Sequence, residues 1–556
     1  MLKRRNRFRI ISCALAIFFL VAASIIAEAA NQGVFYEIFV RSFYDSDSDG
    51  IGDFNGLIEK LDYLNDGNPQ TLTDLEIKGI WLMPTLESPS YHGYDVVDYY
   101  KIESDYGTEE DFNKFVAEAH KRGISVIIDL VLNHTSSRHR WFADSCRARK
   151  SKKKTKGLPS DVLAKADWYV WKDTMPQGWW KPWGGGESKD VWHYKKGSYY
   201  YSAFSVDMPD LNYKNREVIE EMKRIIRYWL NKGIDGFRLD AVRYLIEESG
   251  GVSGQADLKQ THKVLTELAS YAKSINKDCI LIGEVWADNK IVSEYYGEGN
   301  ELNHAFNFDL AAAIINSIKS NDYREIENVL NKMNCYNAPI NFYSPFLTNH
   351  DQNRIASELN GDEQKLKLAA SLLLSVKGTP PFIYYGEEIG MTGRGQHRRI
   401  RIPMQWDDTE NGGFTKGKPW EKLQDNFISI NVSSQELKED SLLNHYKKFI
   451  RIRNKYGELI DNGEIRSVGA NNDKIYAYIY TNDDRGLLFI HNFDDKEAKD
   501  IKLNLYDAGI KSGKYEAVNL LSANKKMEDV TEENMHEYEI ISLGRYESLV
   551  LDVIKK

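Results

Sequence analysis

Eight short, continuous apolar runs recur along the chain, and they constrain its fold more than any other feature. They are Val34–Phe39, Gly79–Met83, Ser125–Leu132, Gly236–Leu239, Cys279–Gly283, Ala305–Phe308, Phe342–Leu347 and Pro381–Tyr385. Amphipathic stretches lie between them, among them Glu109–Arg122, Asn215–Lys232, Leu258–Ile275 and Asp362–Val376. A strand with one solvated face alternates apolar and polar residues. These runs do not, so both of their faces are buried, as in a parallel sheet covered by helices. Eight such strand–helix units predict a closed (β/α)8 barrel in the α/β class. In that architecture, groups at the C-terminal ends of the strands gather at one mouth.

Two segments break the alternation. After the third run ends at Asn133-His134, about 70 residues rich in Trp, Gly and Lys pass before helical periodicity resumes, too many for a plain loop. Residues 135–207 therefore read as an inserted subdomain, with the barrel formed by 30–134 and 208–462. The Lys152–Lys154 run within the insert reads as solvated surface. From 463 to 556 short alternating strands broken by Asn, Asp and Gly turns predict a C-terminal antiparallel β-sandwich.

The first 29 residues stand apart from the fold. Lys3, Arg4, Arg5, Arg7 and Arg9 precede an apolar run from Ile10 to Ala27, and Ala27-Glu28-Ala29 fits a small-x-small cleavage site. This reads as a secretory signal cleaved after Ala29. The competing reading is an uncleaved membrane anchor, because the run approaches bilayer-spanning length. Net charge is −9, which leaves no basic excess for nucleic acid. Three cysteines outside the signal (Cys146, Cys279 and Cys335) make no disulfide framework.

Ionisable residues cluster at the strand ends. They fall in Asp129-Leu-Val-Leu-Asn133-His134, Arg238-Leu239-Asp240-Ala241, Gly283-Glu284-Val285-Trp286 and Thr348-Asn349-His350-Asp351. One carboxylate at such a place is commonly a helix cap. Three converging on one mouth, with an arginine and two histidines beside them, are hard to explain as caps, since burying like charges is costly without partners or function.

These blocks, in this order and over essentially the whole chain after the signal, resemble the conserved regions of the α-amylase family, glycoside hydrolase family 13. The resemblance implies Asp240 as nucleophile, Glu284 as general acid/base and Asp351 as transition-state stabiliser. It places Arg238, His134 and His350 against the nucleophile or the sugar in the −1 subsite. Tyr94 and His92, in Tyr91-His92-Gly93-Tyr94-Asp95, match a stacking platform and sugar ligand there, and Arg354 matches a further −1 arginine. The chemistry is consistent with those roles. Retaining glycosidases need two carboxyl groups about 5–5.5 Å apart, one ionised and one protonated. Arg238 lies two residues before Asp240 on one strand, so both face the same way and the cation should keep Asp240 ionised. Glu284, beside Trp286 and two anionic acids, should have a raised pKa.

A second motif, Asp45-Ser-Asp47-Ser-Asp49-Gly50-Ile51-Gly52-Asp53, spaces carboxylates as ligands for a hard cation. It lacks the glutamate and flanking helices of an EF-hand. It resembles instead the short calcium loop after the first barrel strand of family 13 glucosidases. The implied ligands are the side chains of Asp45, Asp47, Asp49 and Asp53 and the Ile51 carbonyl. Asn133 matches a ligand of a second calcium site between barrel and insert.

Specificity signals are mixed. Ala241 after the nucleophile resembles α-1,4-acting members, and Tyr91 stands where exo-acting glucosidases carry Asp. Met208-Pro-Asp-Leu-Asn212 and Arg401-Ile-Pro-Met-Gln-Trp-Asp407 resemble the oligo-1,6-glucosidase side. Arg243-Tyr244 departs from the Lys-His pair usual in amylases. The combination resembles a subfamily intermediate between α-amylases and oligo-1,6-glucosidases. It implies a secreted, monomeric, endo-acting hydrolase of starch and maltooligosaccharides, with transglycosylation open to it. The alternatives are an α-glucosidase, oligo-1,6-glucosidase or glucan-transferring enzyme, and more remotely an inactive carbohydrate-binding or membrane-subunit homologue.

Overall fold

The computed structural model describes residues 33–149, 157–482, 484–522 and 525–556. The expected signal segment and the Lys152–Lys154 run lie outside the described residues. Among the described residues, no helix is long and apolar enough to cross a membrane.

The eight apolar runs form one parallel sheet of eight strands: β1 (Phe35–Ile38), β2 (Gly79–Leu82), β3 (Ser125–Val131), β4 (Gly236–Asp240), β5 (Ile280–Gly283), β6 (His304–Phe306), β7 (Tyr343–Ser344) and β8 (Phe382–Tyr384). Strand order runs β7-β6-β5-β4-β3-β2-β1-β8. The remaining gap, between β7 and β8, is bridged where the Phe382 N–H donates to the Pro345 carbonyl at 2.8 Å. The sheet thus curls into a (β/α)8 barrel. Every residue of β1, β2, β3 and β4 is buried, as strands covered on both faces require.

The amphipathic stretches are the covering helices: α1 (Phe54–Leu64), α2 (Glu109–Lys121), α3 (Arg216–Asn231), α4 (Lys259–Ile275), α5 (Phe308–Ser320), α6 (Glu363–Ser375) and α7 (Leu442–Asn462). The four expected bounds overshoot by one residue, at both ends for α3 and α6 and at one end for α2 and α4, because the flanking residues are caps. Asn215 accepts from Glu217 N–H, and Asp362 from Gln364 and Lys365 N–H. Thr108 and Asp111 make a reciprocal capping box at α2.

Between β3 and α3, the insert holds a helix, Arg140–Ala148, and a three-stranded antiparallel sheet of Trp171–Lys172, Trp192–Lys195 and Ser198–Tyr201. Its own small core contains Trp179, Val191, Trp192 and Tyr201. The C-terminal strands form a six-stranded and a three-stranded antiparallel sheet, with Ile479, Leu488, Ile501 and Leu551 buried in their shared core.

Barrel and C-terminal sheets meet along α7. Arg453 is fully buried there, donating to the carbonyls of Val376 and Gly378 at 2.8 Å and to Asp461 Oδ1 at 2.6 Å. Tyr480 Oη donates to the Ser375 carbonyl at 2.9 Å, and Tyr456 Oη to Asp552 at 2.7 Å. Removing one partner of a buried ion pair strands the other charge. Arg453→Ala is therefore expected to lower unfolding stability by about 3–5 kcal/mol, measured by denaturant melting, with KM unchanged.

Candidate active site

The strand registers assemble the site before any loop contributes. Asp129 on β3 is the Cα partner of Arg238 on β4, so their side chains leave the sheet on the same face. The Arg238 guanidinium, 1% exposed, lies among three carboxylates. Its Nη1 donates to both Asp129 oxygens at 3.0 and 2.9 Å and to Asp240 Oδ1 at 2.8 Å, and its Nη2 donates to Glu284 Oε2 at 2.6 Å. The indole of Trp81, from β2, lies under the cation, 5.0 Å from ring centre to guanidinium carbon. One rigid fork thus brings the expected nucleophile and the expected acid together, along with Asp129.

The backbone turns sharply just past Asp240. Ala241 has φ 50° and ψ 36°, a left-handed conformation that costs any residue with a Cβ. Its N–H donates to Glu284 Oε2 at 3.3 Å. Strain of this kind is retained where the turn positions reactive groups.

The expected ionisation pattern holds, with burial setting the values. Arg238 does not hold Asp240 below the ordinary carboxylate range. Burial raises its pKa to about 6, Arg238 opposes the rise, and the neighbouring Asp129 and Asp351 add to it. It remains mostly ionised at pH 7. Glu284 follows the expectation: burial raises it to about 7, with Asp240 and Asp351 adding and Arg238 opposing. Trp286 contributes less than its position suggested, since its half-exposed ring stacks on Phe308 at 4.7 Å.

A second cluster faces the first. Buried His350 bonds Glu37 Oε1 through Nδ1 at 2.5 Å, and its Nε2 lies 3.0 Å from Asp351 Oδ2 and 2.6 Å from Tyr94 Oη. Burial alone would discharge the imidazole, but Asp351 and Glu37 hold its pKa up at about 9. Asp351 also receives Arg401 Nη2 at 2.7 Å and lies 3.2 Å from His397 Nδ1. Although burial opposes it, His350, His397 and Arg401 hold the Asp351 carboxyl well below its ordinary range. Tyr94 stacks on His350 at 15° between planes, and His92 stacks on Tyr94 at 28°. His134 is buried and neutral, its pKa lowered to about 3 by burial, and its Nε2 has no protein partner.

Not every expected residue joins the cluster. Arg354 lies below it, donating to the carbonyls of Ile400 and Tyr385 at 2.7 Å and packing over Tyr384 and Tyr385. The arginine that reaches Asp351 is Arg401. Asn133 donates to Asp210 Oδ2 at 2.9 Å, and its own Oδ1 is buried without a partner. Burial raises Asp210 to about 7, and Lys181 supplies positive charge nearby by donating to the Ala203 and Phe204 carbonyls at 2.8 and 2.6 Å. The second expected calcium site would thus offer a cation the Asn133 Oδ1 and the Asp210 carboxylate, with Lys181 beside them.

In the Asp45 loop, carboxylate oxygens of Asp45, Asp47 and Asp49 all lie within 4.8 Å of one another. Asp53 caps α1, accepting from Gly56 N–H and from Ser46 N–H and Oγ–H at 2.8 Å each. Gly50 has φ 95°, and a Cβ there would meet the Lys418 carbonyl at 1.9 Å, so no other residue fits.

Glu37, Asp129 and Arg401 were missed as site residues. The first two had a signal: each is the lone acid inside an otherwise apolar strand, a place where a charge persists only with a partner.

A (β/α)8 barrel with two carboxyl groups on one guanidinium at its C-terminal mouth is the arrangement of a glycosidase. The α-amylase catalytic domain model matches residues 37–463. Alpha-amylase 3 of Dictyoglomus thermophilum is 37% identical over 475 residues, covering 84% of this chain and 85% of that protein. An oligo-1,6-glucosidase of Heyndrickxia coagulans is 31% identical, covering 84% of this chain and 92% of its own. The solved α-amylase of H. orenii superposes with a TM-score of 0.80 at 40% identity, covering 94% of this chain and 99% of that one. The chain belongs to the α-amylase family, glycoside hydrolase family 13, and is a glycoside hydrolase.

Two carboxylates hold the His350 proton. Because its folded pKa of about 9 exceeds the ordinary 6.5, the associated stability is complete below pH 6.5 and is lost as pH rises through 9. Glu37→Gln is expected to bring the His350 titration, followed by imidazole NMR, down by roughly one to three pH units. It should lower kcat about tenfold. A titration still centred near 9 would assign the charge to Asp351 alone.

Proposed function

We propose that the chain is a retaining, endo-acting α-1,4-glucan hydrolase of starch and maltooligosaccharides. The observation that carries the reading is the sharing of one guanidinium by Asp240 and Glu284, with burial raising Glu284 further, to about 7, than Asp240, to about 6. Asp240 attacks the anomeric carbon while Glu284 gives its proton to the departing glycosidic oxygen, leaving a glycosyl ester on Asp240. Glu284, now a carboxylate, takes a proton from water, whose oxygen attacks the same carbon and releases Asp240 with overall retention. A sugar hydroxyl in place of that water gives transglycosylation. Asp351 binds ring hydroxyls, and the unpartnered Nε2 of His134 offers the sugar a hydrogen-bond partner.

Action on α-1,4 bonds within a chain is supported by Ala241 after the nucleophile and by Tyr91. The Tyr91 ring stacks on Trp420 at 5.4 Å, with the Arg398 guanidinium over both rings, where an exo-acting relative would present an acid. A second reading, an α-glucosidase or oligo-1,6-glucosidase, is favoured by the Arg401–Asp407 segment, since Arg401 itself binds Asp351. The relative named oligo-1,6-glucosidase favours it too. Digestion of maltoheptaose, isomaltose and soluble starch decides between them. Mixed maltooligosaccharides from starch support the endo reading, and glucose alone from non-reducing ends rejects it.

The pH profile follows from the site. Activity is expected to fall below about pH 6 as Asp240 takes up a proton and above about pH 7 as Glu284 loses its own. Asp240→Asn and Glu284→Gln should each lose about 10²–10⁴ in kcat with melting temperature preserved. Near-normal turnover in either would overturn the mechanism.

The Asp45 loop fits calcium by its all-oxygen donor set and by the crowding of like charge, since burial and the neighbouring Asp47 and Asp45 push the Asp49 carboxyl up. Asp45, Asp47 and Asp49 would hold the ion, with Asp53 and the Ile51 carbonyl completing the set. A bound ion would neutralise the loop that connects β1 to α1. At a hundredfold excess over Kd, calcium is expected to add about 2.7 kcal/mol of stability, read as a melting temperature that chelator lowers and calcium restores. Melting indifferent to both would dismiss the site. The N-terminal segment is proposed to export the protein, and an exported chain beginning at Ala30 would bear this out.

A further inference from the structure

Three rings from three parts of the chain meet beside the catalytic cluster. Trp183 comes from the insert, Phe204 from the segment leading back out of it, and Tyr244 from the turn after the nucleophile. Ring centres lie 5.3 Å apart for Trp183–Phe204, 5.9 Å for Phe204–Tyr244 and 6.0 Å for Trp183–Tyr244. Phe204 continues inward to His134 at 5.2 Å. The group thus runs from the floor of the site to solvent, where Trp183 is 52% exposed. An indole left half in water at the outer end of an aromatic wall gains little for folding. It offers a flat apolar face.

The rings are held in place. The Trp183 turn is closed by Lys181 N–H donating to the Gly185 carbonyl at 3.1 Å and Gly184 N–H to the Lys181 carbonyl at 2.8 Å. Three successive glycines with positive φ, Gly184 to Gly186, allow that turn. Lys181 Nζ then pins it to the Phe204 segment through the Ala203 and Phe204 carbonyls. Behind Tyr244, Arg243 is locked by two bonds to Asp257, at 2.9 and 2.6 Å. A surface ordered before binding loses less entropy when a ligand settles on it.

The wall lies on the leaving-group side. The turn carrying Tyr244 is fastened to the Glu284 segment twice, by Ala241 N–H to Glu284 Oε2 and by Arg243 Nη1 to the Trp286 carbonyl. Glu284 protonates the departing oxygen, so sugar beyond the scissile bond leaves past this turn. Tyr94, His92, His350 and Asp351 form the other cluster, which holds the glycone.

We infer that Trp183, backed by Phe204 and Tyr244, is the stacking platform for the glucosyl residues of the leaving group and of an incoming acceptor, and that it determines which bond of a maltooligosaccharide is cut. The inference rests on the α-glucan reading above. A pyranose ring presents C–H groups on a flat face that packs on an indole, whereas the mostly polar edge does not.

The test compares substrates with and without sugar on that side. α-Glucosyl and α-maltosyl fluorides carry none, and reducing-end-labelled maltoheptaose carries several. Trp183→Ala is expected to lower kcat/KM on maltoheptaose about threefold to tenfold. It should move cleavage toward bonds that release shorter reducing-end fragments and lower transfer to added maltose by a similar factor. Turnover of the fluorides should stay unchanged, and Trp183→Phe should restore most of the loss. An unchanged cleavage pattern and acceptor use would overturn the platform, as would an equal fall on the fluorides. If the unsubstituted protein turned over the fluorides but no maltooligosaccharide, the α-glucan reading itself would fail, a result separate from any effect of Trp183.

Discussion

The buried guanidinium of Arg238 is the interaction on which the rest of the site depends. Without it, Asp129, Asp240 and Glu284 would be three acids sharing one low-dielectric space, and all would be driven toward the neutral form. With it, each carboxylate has a charge-assisted partner in a fixed plane. The barrel explains why the cation can sit there. Arg238 and Asp129 are register partners on adjacent strands, and the tryptophan beneath them comes from the next strand over. The positions of the charges are therefore set by backbone hydrogen bonds rather than by mobile loops.

The second cluster solves the same problem differently. His350 is charged because Glu37 and Asp351 flank it, and Asp351 is ionised because His350 and Arg401 flank it in turn. Each group keeps its charge only while its neighbours keep theirs. Tyr94 lies against His350 and also donates to Asp129 at 3.3 Å, so the two clusters share a hydrogen-bonded edge. Coupling of this kind holds the Tyr94 ring at a fixed distance from the strand that ends in Asp240.

Much of this was legible in the sequence, for reasons visible in particular residues. Continuous apolar runs announced the parallel strands, and Asp240, Glu284 and Asp351 stood at their ends in recognisable surroundings. Overshoot at the helix ends came from caps such as Asn215 and Asp362, which are polar residues continuous with an amphipathic pattern. Arg354 was placed by motif, but burial turned its guanidinium onto the Ile400 and Tyr385 carbonyls while Arg401, 47 residues later, reached Asp351. Contacts of that range depend on how two loops fold back over the mouth, which no local spacing encodes. The Trp183 wall was illegible for the same reason: its rings are brought together by a lysine tether between segments of the insert.

The charge count around the substrate position gives the catalytic logic. Four carboxyl groups, Asp129, Asp240, Glu284 and Asp351, lie among three cations, Arg238, His350 and Arg401, so acids outnumber bases by one. In the proposed mechanism a sugar ring passing through an oxocarbenium-like state brings positive charge beside them, between Asp240 and Asp351. The field is already in place before the bond breaks, so no dipoles need to turn as the reaction proceeds. Ground-state sugar, being neutral, gains little from the same field. Burial already raises Asp129 and Asp240 to about 6 in the resting protein. The features that make the resting site electrostatically uncomfortable are thus the ones that favour the transition state over the substrate.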